Sequence, residues 1–174
     1  MSTAIRPLPA EADPYWQRYI SLVGEGEILD IIEKEGKAAV SLYRSLTEQQ
    51  ANSAYAPGKW TVKEVIGHII DTERIMSYRA LRVSRNDSTP IEGFEQDDYV
   101  ANGAYSTYTV EELAEEFETV RRASLLQVRK LTPDMWTRRG VANHKEVTVR
   151  ALAYIMAGHE LHHRRILKEK YLGQ

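Results

Sequence analysis

Thr148-Val149-Arg150-Ala151-Leu152-Ala153-Tyr154-Ile155-Met156-Ala157-Gly158-His159-Glu160-Leu161-His162-His163-Arg164-Arg165-Ile166 reads as one long amphipathic helix, opened by a Thr148 cap and running to about Lys170. At roughly 100° per residue, with His159 set at zero, Leu152 falls at about 20°, Ile155 at about −40°, Met156 at about 60° and Ile166 at about −20°. The apolar stripe is therefore centred on His159. His163 falls at about 40° and His162 at about −60°, so His163 shares the stripe while His162 lies towards its edge. Residues four apart stand one turn apart on one face, and two imidazoles so placed can point at one atom.

Working back along the chain, three more long helices are expected. Thr109 with Glu112 three positions on forms a capping box, and opens a helix carrying Leu113, Phe117, Val120, Leu125, Val128 and Leu131. Thr61 with Glu64 repeats that signal for a helix reaching about Ser84, and His68 lies two turns inside it. On that helix Val65, Thr72, Ile75 and Arg79 share the His68 face, with Asp71 offset to one side. Ile28, Leu29, Ile31, Ile32, Val40, Leu42 and Leu46 follow helical spacing after the Gly24-Glu25-Gly26 break. Four long helices and few strand signals predict an all-α protein, a four-helix bundle with ligand sites in its core. Residues 1–174 are expected to form a single domain with an N-terminal extension over roughly 1–26, including a helix-capable Tyr15–Ile20. The long connection from Arg85 to Tyr108 has no clean period, with one turn of helix expected near Glu95–Val100. A connection of that length in a compact domain is more often functional than idle. Gly140 to Val147 reads as a short, polar, extended excursion.

Bulk properties narrow the function. The chain has 174 residues, 43% of them hydrophobic, enough for a substantial core without staples. Its 23 basic and 25 acidic residues leave a net charge of −2, which gives no field for nucleic acid or an anionic membrane. With no cysteine, disulfides, thiolate ligands and a cysteine nucleophile drop out. No run approaches the roughly 18 apolar residues that a bilayer span needs. These features predict a cytoplasmic protein, and Asn86-Asp87-Ser88 then carries no glycan.

His68, His159 and His163 are the candidate metal ligands, with His162 as the substitute. Three imidazoles with a coordination position left open are what separates a catalytic site from a closed structural one. Against this stands the plainer reading of core histidines that are merely hydrogen-bonded. Asp71 and Glu73 are candidates to orient an imidazole, weighed against an ordinary solvated helix flank. Arg79 either holds an anionic group of a substrate or snorkels out of the bundle. Trp60 is expected to pack as a staple at a helix start. The doublets Arg121-Arg122, Arg138-Arg139 and Arg164-Arg165 read as surface. No nucleophile elbow, phosphate loop or dinucleotide fingerprint is present.

Three strings taken together, Ala56-Pro57-Gly58-Lys59-Trp60-Thr61-Val62-Lys63-Glu64-Val65-Ile66-Gly67-His68-Ile69-Ile70-Asp71-Thr72-Glu73-Arg74, Phe94-Glu95-Gln96-Asp97-Asp98-Tyr99 and Ala157-Gly158-His159-Glu160-Leu161-His162-His163, resemble the DinB-like superfamily of four-helix bundles, and within it the YfiT-like metal-dependent hydrolases. The resemblance runs in order from about Ile28 to Lys170. It implies that the family's metal-binding triad falls on His68, His159 and His163, the set that helical phase also selects. It further implies a divalent metal such as nickel or zinc, and frequent homodimerisation. Related bundles include transferases and isomerases that use small thiols such as bacillithiol or mycothiol.

The leading expectation is a metal-dependent enzyme acting on a small molecule, either a hydrolase or a small-thiol-dependent transferase. Bound to such an ion, water has its pKa lowered to about 7, and a thiol loses its proton outright. Asp71, Glu160 and the connection around residues 86–108 are candidate sources of an acid or base, and none is singled out. The alternative is a non-catalytic metal-binding or structural bundle of the stress-inducible type. A metal-free bundle is the third reading.

Overall fold

Each predicted cap is made in the computed structural model, which describes residues 5–173. The first four residues of the expected N-terminal extension, and Gln174, lie outside the described residues. Helix α1 spans Pro14–Ile20, with the Asp13 carboxylate accepting from the Tyr15 amide at 2.9 Å. Helix α2 is Ile28–Arg44 and the short α3 is Glu48–Ala51. Helix α4, Val62–Ser84, starts on the expected box: Thr61 Oγ1 accepts from the Glu64 amide at 3.2 Å, and Glu64 accepts from the Thr61 amide at 2.6 Å. It stops where Asn86 turns left-handed at φ 59°, with the Asp87 amide donating back to the Arg82 carbonyl at 3.1 Å. Helix α5 is Gln96–Asn102, α6 is Val110–Arg129 on the Thr109–Glu112 box, and α7 is Pro133–Thr137. Helix α8, Val149–Ile166, is capped by Thr148 and ends in a π turn over Leu167–Tyr171.

The excursion before α8 is a hairpin. Strands β1 (Arg139–Ala142) and β2 (Lys145–Thr148) pair antiparallel in the register Arg139 to Thr148 and Ala142 to Lys145. Its two turn residues, Asn143 and His144, both have positive φ, 50° and 60°, as a primed hairpin turn requires. The irregular connection docks on this hairpin through a parallel bridge from Ile91 to Ala142.

In the bundle, α2 packs on α6 and α8, and α4 packs on the same two. The long helices α2 and α4, separated in sequence only by the short α3, are therefore diagonal to each other. Helix α1 lies on α8, so part of the expected extension is built into the fold.

The apolar core is divided into two clusters. One gathers Trp16, Ile28, Ile32, Val83, Leu125 and the first half of α8; the other gathers Tyr43, Ile66, Ile69, Phe117 and Leu167. Between them every long helix carries a polar or bare position in its middle: Gly36 on α2, His68, Thr72 and Glu73 on α4, Arg121 and Ser124 on α6, and His159, Glu160 and Arg164 on α8. This polar layer across the bundle is where chemistry is concentrated.

Among the described residues, no helix is long and apolar enough to cross a membrane.

Candidate metal centre

Helix phase places His68 on the α4 face that meets α8, and His159 with His163 on the α8 face that meets α4. One ligand nitrogen from each of the three rings lies within 4.8 Å of the other two. His68 Nε2 and His159 Nε2 approach to 3.1 Å. Two nitrogens each about 2.0–2.1 Å from one tetrahedral ion stand roughly 3.3 Å apart, so this pair is already at ligand spacing. Burial lowers His68 to about 4. Burial, together with the neighbouring imidazoles, holds His159 and His163 well below the usual histidine value. Three neutral rings at neutral pH are the form in which histidine binds a metal. His162 stands beside them, its ring 5.0 Å from that of His163, but is not part of the convergence.

Packing holds these rings in place. Tyr19 of α1 lies edge-on to His159, with ring centroids 5.2 Å apart. That approach is possible because position 158 is glycine: a Cβ there would stand 2.5 Å from the carbonyl carbon of Tyr19. Trp60, expected as a staple, has its ring 5.0 Å from His68, and its carbonyl accepts from the Tyr171 hydroxyl at 2.7 Å. Tyr105 lies over Gly67, where a Cβ would collide with its ring, and its hydroxyl donates to Asp71. Asp71 therefore anchors the connection to α4 and does not orient an imidazole.

A cavity of about 290 Å³ opens beside His68 and His159. Its walls come from α1 (Tyr15, Trp16, Tyr19), the His68 face of α4 (Thr72, Met76, Arg79), the connection (Phe94 to Asp97), the hairpin tip (Asn143) and Ile155 of α8. A groove of about 320 Å³ between α2 and α6 contains none of the histidines. Chemistry rather than size selects the first. Sequence reasoning missed Tyr19 and Asn143 as wall residues. Gly158 beside the predicted ligand was the signal for a close approach.

Two readings of charged residues are corrected. Arg121 and Arg164 are not surface: they are 5% and 8% exposed. Glu73 is not a solvated flank but buried, accepting from Arg121 Nε at 2.9 Å, with Nη2 of the same arginine at 2.6 Å. Arg164 pairs with Glu35 of α2 and lies 3.3 Å from Glu160. Glu160 is fully buried, and neither of its oxygens has a hydrogen-bond partner among the described residues. Burial raises it to about 7, with Arg121 and Arg164 pulling the other way. This network lies behind the histidines, away from the cavity wall. The carboxylates that do line the cavity are Glu95 and Asp97.

Comparison with known proteins bears on the family and the fold. The family model of the DinB superfamily matches residues 31–167. No curated protein matches the chain. Among solved structures, one described as "YfiT from Bacillus subtilis is a probable metal-dependent hydrolase with an unusual four-helix bundle topology" superposes with a TM-score of 0.71. It is 15% identical in sequence, over 95% of this chain and 90% of that one, a likeness of fold.

Proposed function

Because this chain belongs to the DinB superfamily, we propose that it is a metal-dependent enzyme whose divalent ion, nickel or zinc, is held by His68, His159 and His163. One observation carries the reading: three neutral imidazoles from two helices converge, two of them on the wall of a cavity, and no fourth protein ligand joins them among the described residues. A closed structural site would need that fourth ligand. An ion bound there supplies Lewis acidity, acidifying a water or a thiol and polarising the group to be attacked.

Hydrolysis is the leading reaction, supported by what the YfiT description says of that protein. Small-thiol transfer is the second reading; a chain without cysteine would take its thiol from outside, a feature that fits hydrolysis equally. In either, the chain's own residues set the conditions. Tyr19, Trp16 and Phe94 give the cavity apolar walls, and Trp60 and Tyr19 hold the rings of His68 and His159 in orientation. Glu95 and Asp97, on the wall, are placed to take or give a proton once substrate brings them within reach. The partner is a small molecule, and the assembly is a homodimer.

The test is elemental analysis of purified protein, joined to turnover of esters and amides, and of electrophiles supplied with a small thiol. One metal per chain and turnover that both disappear in His163→Ala would support the proposal. Stoichiometric metal with no turnover of any such substrate would favour a binding protein, and no metal at all would overturn it.

A further inference from the structure

Arg79 is 2% exposed on the cavity side of α4, and no carboxylate pairs with it among the described residues. Its Nη2 donates to the Glu92 carbonyl at 3.0 Å and its Nη1 lies 3.7 Å from Met76 Sδ, while Nε has no partner. The other buried arginines of the polar layer, Arg121 and Arg164, each face a glutamate. Thr72, also on the cavity wall, has a buried hydroxyl without a partner. Leaving a buried guanidinium half-satisfied is expensive unless something else completes it.

These groups form a rail. From His68 to Arg79 the helix rises roughly 16 Å, with Thr72 and Met76 spaced along the same face. The Arg79 side chain leans back over Met76, towards the histidine end of the cavity. A guanidinium meets a carboxylate edge to edge through two parallel N–H···O bonds, and the edge containing Nε is the one without a partner here. One guanidinium matches one negative charge. Glu95 and Asp97 on the same wall oppose a dianion such as phosphate.

We propose that the cavity selects a small monocarboxylate substrate, docked through its carboxylate on Arg79, passing Thr72, with its reacting bond at the histidines. Arg79 is then the specificity residue. This rests on the metal-centre reading for the position of the reaction, but not for the binding of the acid.

The test uses straight-chain monocarboxylic acids of two to six carbons, the corresponding amides, and inorganic phosphate. Each is titrated by thermal denaturation and calorimetry into wild type, Arg79→Met and Arg79→Lys. The acids should raise the Tm of wild type and the amides should not. Arg79→Met should weaken acid binding at least tenfold, and Arg79→Lys, which keeps the charge but loses the fork, severalfold. If Arg79→Met does not fold, because Glu92 loses its tether, Arg79→Lys carries the test alone. Amides binding as well as acids, phosphate binding in place of them, or acid affinity unchanged in the arginine variants would each overturn the proposal. Metal content measured on the same preparations separates the two readings: wild type without metal refutes the triad, while the acid titration still scores Arg79.

Discussion

Gly158→Ala tests whether the close seat of α1 on α8 shapes the metal centre. Position 158 has ordinary helical backbone, so alanine on its own would stabilise α8 by about 1 kcal/mol. The new methyl, however, would stand 2.5 Å from the Tyr19 carbonyl carbon and 3.1 Å from its Cα, and nearer still to its oxygen. Ordinary contact begins near 3.4 Å, and the obstacle is backbone, which cannot swing aside as a flexible side chain can. Helix α1 must therefore back away by roughly 1 Å, loosening Trp16, Tyr19 and Ile20, all buried against the core. Overpacking of this kind costs about 1–3 kcal/mol, and with backbone in the way the upper end applies. After the helix-propensity gain the net loss is about 2 kcal/mol, a fall in Tm of about 4–8 °C for a chain of this size. Gly24→Ala, with nothing within 4 Å of the added methyl, is the control, and should move stability by no more than about 0.5 kcal/mol. Paired thermal melts, with tryptophan emission compared with a Trp16→Phe background, read both. The two contributions have opposite signs, so a Gly158→Ala protein as stable as wild type or more so would refute the close docking of α1.

Metal removal comes next: dialysis against a chelator should lower Tm, and returning nickel or zinc should restore it in wild type but not in His68→Ala. At an ion concentration of about 1,000 times Kd the difference is about 4 kcal/mol. Glu73→Leu strands the buried Arg121 and should destabilise by about 3–5 kcal/mol, whereas Glu73→Leu with Arg121→Met should recover most of that in a denaturant titration. Glu11, buried near the start of the chain, meets Arg150 and Thr148; burial works to raise its pKa, yet the hydrogen bonds from these groups and the Leu8 amide bring it below the usual glutamate value. A carboxylate depressed in the folded state stabilises fully above its unfolded pKa of about 4.3, and that contribution is lost as pH falls through the folded value. Glu11→Gln should therefore be less stable than wild type at pH 7, by about 1–3 kcal/mol, with the two melting curves converging as pH falls through the folded value. Parallel pH profiles would show that the pair does not hold the N-terminal segment.

What could be read from the residues alone was whatever depends on one helix at a time. Caps at Thr61, Thr109 and Thr148 mark helix starts by local chemistry, and a helix start sets the phase of every side chain that follows. Once His68, His159 and His163 each point to the interior, only the helix pairing remains to be supplied. The partners of Arg121 and Glu73 were hidden for the opposite reason: they sit 48 positions apart on different helices, and a charge alone does not say whether its opposite number faces it across the core. The walls from α1 and the connection were likewise illegible, because their packing is decided by residues with no periodicity of their own. Yet two glycines marked where other segments press on the helices. Gly67 is vacated for the Tyr105 ring and Gly158 for the α1 backbone, each one residue before a histidine of the triad. A glycine in mid-helix weakens that helix, so its presence directly before a ligand says that another segment presses there. The two missing side chains bring the connection and α1 against the helices that carry the triad, Tyr105 over Gly67 and Tyr19 edge-on to His159. At Gly158 the close packing sets the cavity wall, through Tyr19, and the orientation of the His159 ring together, so a change there should disturb both at once, whereas Gly67 seats the connection through Tyr105, outside the cavity wall.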